Sequence, residues 1–204
     1  MLGTVRDGTM PEYEEKAKMI LDHEEWFAES LAIKIVEKPT LSVWMILIPI
    51  VFIYYFYRFK KFAEGRKQFV KNYMISRTQA LTKALERVNG DTKAGVSEIS
   101  GSIGLNGDTK KYYTELLVAL FDHYVRLLHA PGGSYQELVK SAYGSSGEFT
   151  VFLNDLTRIE DRLNRSFRSQ DADSNNFADV VGSIKEYSEN IRRATIEKIF
   201  AAAS

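Results

Sequence analysis

The chain reads as a series of helical hydrophobic stripes broken by one continuous apolar run. Met10, Tyr13, Ala17, Ile20, Leu21, Phe27, Ala28, Leu31 and Ile35 recur at three- and four-residue spacing with charged residues between them. That spacing predicts an amphipathic helix. Thr9-Met10-Pro11-Glu12 opens it as a capping box with Pro in the first turn, and Lys38-Pro39 closes it. A second stripe runs through Phe62, Phe69, Tyr73, Met74, Leu81, Ala84, Leu85 and Val88 to the breaker Asn89-Gly90. Beyond a Gly/Ser/Asn-rich stretch over 89–108, a third stripe presents Tyr112, Leu116, Leu117, Leu120, Phe121, Tyr124, Leu127 and Leu128. Pro131-Gly132-Gly133 ends that helix, and Ser134 with Glu137 caps a short one reaching Tyr143. Phe149, Phe152, Leu153, Leu156, Ile159, Leu163 and Phe167 share one face of the next helix. After a polar loop, Asn176 is the expected cap of a last helix with Phe177, Val180, Ile184, Tyr187, Ile191 and Ile199 inward. No window alternates at period two, so the predicted fold class is all-α, with the three long C-terminal helices and the second stripe forming a bundle.

The apolar run changes this picture. Leu41 to Tyr57 carries no charge over seventeen residues, a length of roughly 26 Å as a helix against a hydrocarbon core of about 30 Å. Trp44 lies near one end, and Tyr54, Tyr55 and Tyr57 near the other; such amphipathic rings favour headgroup depth. Arg58, Lys60 and Lys61 follow immediately and can snorkel to phosphates. These residues are the expected membrane anchor, together with Pro49 at mid-segment, which kinks a spanning helix or turns a re-entrant one. The expected organisation is a 1–38 amphipathic N-terminal helix, a 39–57 transmembrane segment, a 58–88 basic helical stalk continuing from it, and an 89–204 soluble helical bundle.

Charge refines the orientation. Net charge is zero, but residues 58–88 hold nine basic and two acidic side chains, while residues 1–38 hold five and nine. The positive-inside rule therefore places the C-terminal side in the cytoplasm and a single-pass N-terminal tail outside; a re-entrant segment keeps both on one side. Zero net charge argues against nucleic acid as a partner. The run Trp44–Lys61, followed by a charged stalk and a small helical domain, resembles an uncharacterised bacterial family of single-pass membrane proteins, over roughly residues 20–85. The resemblance implies a bacterial inner-membrane setting and carries no activity or site residues.

Catalytic signals are sparse. The absence of cysteine removes disulfides, thiolate metal sites and a Cys nucleophile. His123 and His129, six apart, fall on different faces of one helix, and no Glu-x-x-His pair is present. Asp171-Ala-Asp173-Ser-Asn175 imitates half an EF-hand loop, but Asn176 stands where Gly is needed and Gly182 where a bidentate Glu is needed. Asn-Gly-Asp-Thr-Lys occurs at 89–93 and again at 106–110, and reads as helix punctuation. The pairs Glu24/Glu25 and Glu160/Asp161 read as solvated. No catalytic, cofactor-binding or metal-binding residue is expected. The expected role is a non-catalytic accessory or adaptor subunit of a membrane complex, with membrane lipids and other protein subunits as partners and Tyr13, Ile20, Phe27 and Leu31 as the partner-binding face. The alternatives are an enzyme or redox accessory acting on a quinone or lipid at the interface, and a self-associating stalk that makes a homo-oligomer.

Overall fold

The computed structural model describes residues 9–36, 65–91, 95, 96, 105, 107–168 and 174–201. All the regular structure among them is helical, in six elements: α1 (Met10–Val36), α2 (Gly65–Val88), α3 (Gly107–His129), α4 (Tyr135–Tyr143), α5 (Ser146–Arg168) and α6 (Ser174–Phe200). The expected all-α class holds for these residues.

Local chemistry explains the boundaries. At the start of α1 the Tyr13 amide donates to the Thr9 carbonyl (3.1 Å). Ser134 caps α4 by accepting from the Glu137 amide, while the Glu137 carboxylate reaches back to the Gly133 amide at 2.8 Å. Gly132, at φ +154°, lies so close to α4 that a Cβ there would meet the Glu137 Cβ at 2.8 Å. Ser145 caps α5 through the Glu148 amide. The last helix begins at Ser174, two residues before Asn176, so Asn176 lies inside the first turn and is not its cap.

The five long helices form a closed ring. They pack in the order α1, α2, α3, α5, α6 and back to α1, α1 also touches α3 across the ring, and the short α4 packs against α1, α3, α5 and α6. Side-chain pairs give the directions. Phe27–Tyr73 and Glu24–Arg77 make α1 and α2 antiparallel. Gln79–Tyr113 and Arg87–Phe121 advance together, so α2 and α3 are parallel. Glu115–Arg162 with Arg126–Glu148, and Asp161–Lys185 with Phe149–Phe200, make α3/α5 and α5/α6 antiparallel. Phe27–Arg192 and Leu31 beside Ser188 reverse α6 against α1. A ring of five cannot alternate throughout, and the α2/α3 pair absorbs the mismatch. Its ends are joined by the long 89–106 connection, from which Val96 and Leu105 pack on the core.

The core follows the stripes. α3 buries Tyr113, Leu116, Leu117, Leu120, Tyr124, Leu127 and Leu128, a face wide enough to serve neighbours on both sides. Between α1 and α2, Ala17, Ala28, Ala32, Ala80 and Ala84 are buried; small side chains let the two backbones approach closely.

The division into units changes. The second stripe joins the bundle, as expected, so the described part of 58–88 is not a unit apart from 89–204. From Gly65 onward it is a bundle helix whose Phe69, Tyr73 and Leu81 are buried between α1 and α3, because a stripe of that width needs a partner on each flank. The N-terminal helix is likewise no separate unit but the fifth wall of the ring. The expected membrane segment, with Trp44, Pro49, Tyr54, Tyr55, Tyr57, Arg58, Lys60 and Lys61, lies outside the described residues. Among the described residues no helix is long and apolar enough to cross a membrane.

Candidate functional site

The centre of the ring is ionic. Each of the five long helices contributes a polar group to one cluster: Glu24 from α1, Arg77 from α2, Tyr124 from α3, Glu160 from α5 and Arg192 from α6. Arg77, Glu160 and Arg192 are only 2%, 8% and 7% exposed. The Glu160 carboxylate accepts from Arg77 at 2.9 Å and twice from Arg192, at 2.9 and 3.0 Å. Arg192 also donates to Thr157 Oγ1. Glu24 accepts from Tyr124 (2.8 Å) and Tyr73 (3.4 Å), with Arg77 Nε 3.9 Å away. The Arg77 guanidinium lies 3.8 Å from the centre of the Tyr73 ring. Two cations and two anions thus cancel, three of them buried and Glu24 keeping 12% of its side chain exposed. Burial holds the Tyr73 and Tyr124 hydroxyls well above the usual phenol range, so both remain donors. Two cavities of about 40 and 30 Å³ flank the cluster, and both touch Tyr73 and Arg192. The Arg77 Nε is buried without a hydrogen-bond partner.

What such a cluster does chemically is fix register. A buried pair contributes little net stability against an apolar replacement, but breaking it is costly. A one-turn slip of α1, α2, α5 or α6 would strand a charge.

The sequence reading missed these residues by taking Glu24 and Glu160 as solvated and counting Arg77 only among the basic residues that follow the apolar run. The available signal was phase. Glu24 continues the series 13, 17, 20, 27 and 31; Arg77 the series 69, 73, 80 and 84; Glu160 the series 149, 152, 156 and 163; Arg192 the series 184, 188 and 199.

The expected partner face of α1 is interior. Tyr13, Ile20, Phe27 and Leu31 are buried against α2 and the rest of the bundle, at 6% exposure or less. The surface that α1 does present is a groove of about 960 Å³ between α1 and α2. Its apolar lining is Ala17, Leu21, Ala32, Ile33, Val70, Met74 and Leu85. Glu14, Asp22, Glu25 and Glu29, with Lys18 among them, line the α1 side, and Lys67 and Lys71 the α2 side.

A third feature is the end of the bundle where α1 stops and α2 starts. Val36 lies nine residues past Phe27 and Gly65 eight before Tyr73, so at 1.5 Å per residue both ends sit about 12–14 Å beyond that contact, on the same side. α3 begins and α5 ends there too. Within two turns of that end, the exposed charged side chains among those described are Lys34, Lys67, Lys71, Lys110, Lys111, Arg162 and Arg165 against Glu29 and Asp108.

The histidines are placed by packing. His123 is buried, its Nδ1 2.6 Å from the Tyr143 hydroxyl and its ring stacked 4.3 Å from Phe152. Burial, with the charges of His23 and Arg126, lowers its pKa to about 3. His23 stacks 3.6 Å from Tyr135; burial and the nearby Lys198 lower its pKa to about 4. Among the described residues no group of His, Asp and Glu side chains is arranged to hold a metal ion. Comparison of the chain with known families, curated proteins and solved structures returns no match.

Proposed function

We propose that this protein is a membrane-bound adaptor that sits on one face of a bilayer and holds a partner subunit in the α1–α2 groove. The observation that carries this reading is the bundle end. The apolar run at 41–57 is bracketed by two helices whose facing ends emerge side by side from one strongly basic surface. A single crossing would leave α1 and α2 on opposite sides of the membrane, whereas they pack along their length. This reading takes the re-entrant alternative, in which the apolar run at 41–57 enters and leaves by one leaflet, over the single-pass one. The basic end then meets anionic headgroups, each Lys or Arg contributing about 1 kcal/mol near the surface.

The partner contact falls on the half of α1 that the bundle leaves open. An amphipathic helix laid in the groove would bury its apolar face on Leu21, Ile33, Val70 and Met74.

The chain has no cysteine, so introduced thiols report cleanly. Single cysteines at Glu15 on α1 and Thr82 on α2, both exposed, are probed with an impermeant maleimide on sealed vesicles of each orientation. Both react from the same side. Reaction from opposite sides, or recovery of the native-level protein in the soluble fraction, would overturn the reading. For the adaptor role, Ile33→Glu with Met74→Lys abolishes co-purification of the partner, whereas Val151→Glu, on the far α5 surface, retains it.

A further inference from the structure

A separate concavity opens where α1, α4 and α6 meet, with a volume of about 380 Å³. That is within the range of small-molecule sites. One wall is an aromatic stack: Trp26 lies 5.3 Å from His23, and His23 lies 3.6 Å from Tyr135 at an interplanar angle of 12°. Trp26 is 48% exposed, an unusual position for an indole on a bundle whose other aromatic rings lie largely inside. Met19 and Ile199 complete the apolar lining. Lys198 and Gln136 also face it, and the Lys198 charge is felt at the His23 ring. Among the described residues, Lys198, Gln136, the Trp26 indole N–H and the His23 ring have no hydrogen-bond or ion-pair partner in the protein. Donors thus outnumber acceptors: Asp22 is the only carboxylate in the lining, and the Thr195 hydroxyl is already committed to the Ile191 carbonyl.

We propose that this pocket binds a planar aromatic acid, its ring against Trp26 and His23 and its carboxylate on Lys198 and Gln136. The chemistry follows from the walls. An exposed indole face beside a neutral imidazole favours a flat ring. His23 is uncharged at neutral pH, so it adds stacking area without repelling a cation or drawing the acid away from Lys198. A bicyclic acid fits the volume. The site shares a wall with the interior, because His23 and Tyr135 also line the 40 Å³ cavity beside Glu24 and Arg192. The inference does not depend on membrane attachment or on the α1–α2 groove.

The test uses the full-length protein in lipid nanodiscs, with empty discs as the blank, and 1-naphthoate as the probe in isothermal titration calorimetry. Saturable binding is expected, with 1-naphthalenemethanol binding more weakly and acetate not at all. Lys198→Met weakens naphthoate about five-fold, the worth of an exposed ion pair, and leaves the alcohol unchanged. Trp26→Ala removes binding of both. Both side chains are at the surface, and circular-dichroism melts confirm that the variants fold. Absence of saturable heat up to millimolar naphthoate would overturn the proposal. So would variants that bind as the wild type does, or a Lys198→Met variant that loses the alcohol as much as the acid.

Discussion

Replacing Glu160 with glutamine removes one charge from the middle of the ring while keeping the side chain's shape. In the wild type that carboxylate receives three contacts of 2.9–3.0 Å from Arg77 and Arg192. Glutamine keeps one acceptor oxygen and turns an amide N–H₂ toward the other guanidinium. One buried cation then loses its anion, a change that costs about 3–5 kcal/mol. The retained neutral hydrogen bond offsets about 1 kcal/mol. The expected loss is therefore about 3 kcal/mol. For a domain of this size, that lowers the melting temperature by roughly 6–12 °C. The assay is a circular-dichroism melt at pH 7 in mild detergent, wild type beside variant. A variant melting within about 2 °C of wild type would show that the cluster is wet or loosely paired, and the reasoning would fail.

The same logic gives a control with the opposite outcome. Exchanging Arg77, Glu160 and Arg192 for Met, Leu and Met, together with Glu24→Gln so that no anion is left without its cation, removes every charge of the cluster while Tyr73 and Tyr124 keep an acceptor. The sum of the single losses would unfold the protein. The combined variant is instead expected to stay within about 2 kcal/mol of wild type, since apolar replacement of a buried ion cluster is often neutral. What it loses is the penalty against slippage, visible as faster amide exchange in α6.

Acid lowers stability through His23 and His123. Their folded pKa values, about 4 and about 3, lie below the unfolded value of 6.5, so the unfolded chain binds more protons between those limits. Stability is full above pH 6.5 and falls as pH drops toward 4, by about 3 kcal/mol for His23 alone; His23→Gln flattens the slope of melting temperature against pH, and an unchanged slope would exclude His23 as its source. Gly132→Ala forces a Cβ to within 2.8 Å of the Glu137 Cβ at φ +154°, whereas Gly133 has only the tip of Glu137 nearby at 3.8 Å. Gly132→Ala is expected to cost about 1–3 kcal/mol and Gly133→Ala much less, read as a difference in melting temperature; equal effects would contradict the α4 approach.

The helical stripes were legible because side-chain period is a local property, and the described stripe side chains of α1, α2, α3 and α5 lie inward, apart from Met10 at 62% exposure. Which stripes meet is a non-local property. The stripe of α1 ends at Lys38-Pro39 and that of α2 resumes beyond the apolar run, so a linear reading separates them into a tail and a stalk. Packing joins them because neither can bury Ile20, Phe27, Phe69 or Tyr73 alone. The buried charges follow from the same joining. Glu24 on its own is an acid in phase with an apolar face, and nothing in its neighbourhood says whether water or Arg77 neutralises it. Four helices each carry one charge in the apolar phase, two of each sign, and that complementarity becomes visible only once the stripes are considered as a set. The ring also constrains what lies outside it. Five walls require one parallel pair, and a parallel pair requires a long return; 89–106 supplies it between α2 and α3. The antiparallel α1/α2 pair needs only a short turn, yet 28 residues separate their ends. A connection that long is unnecessary for the fold, and its apolar centre is costly to expose to water. The membrane attachment proposed above gives those 28 residues a task that the fold itself does not require of them.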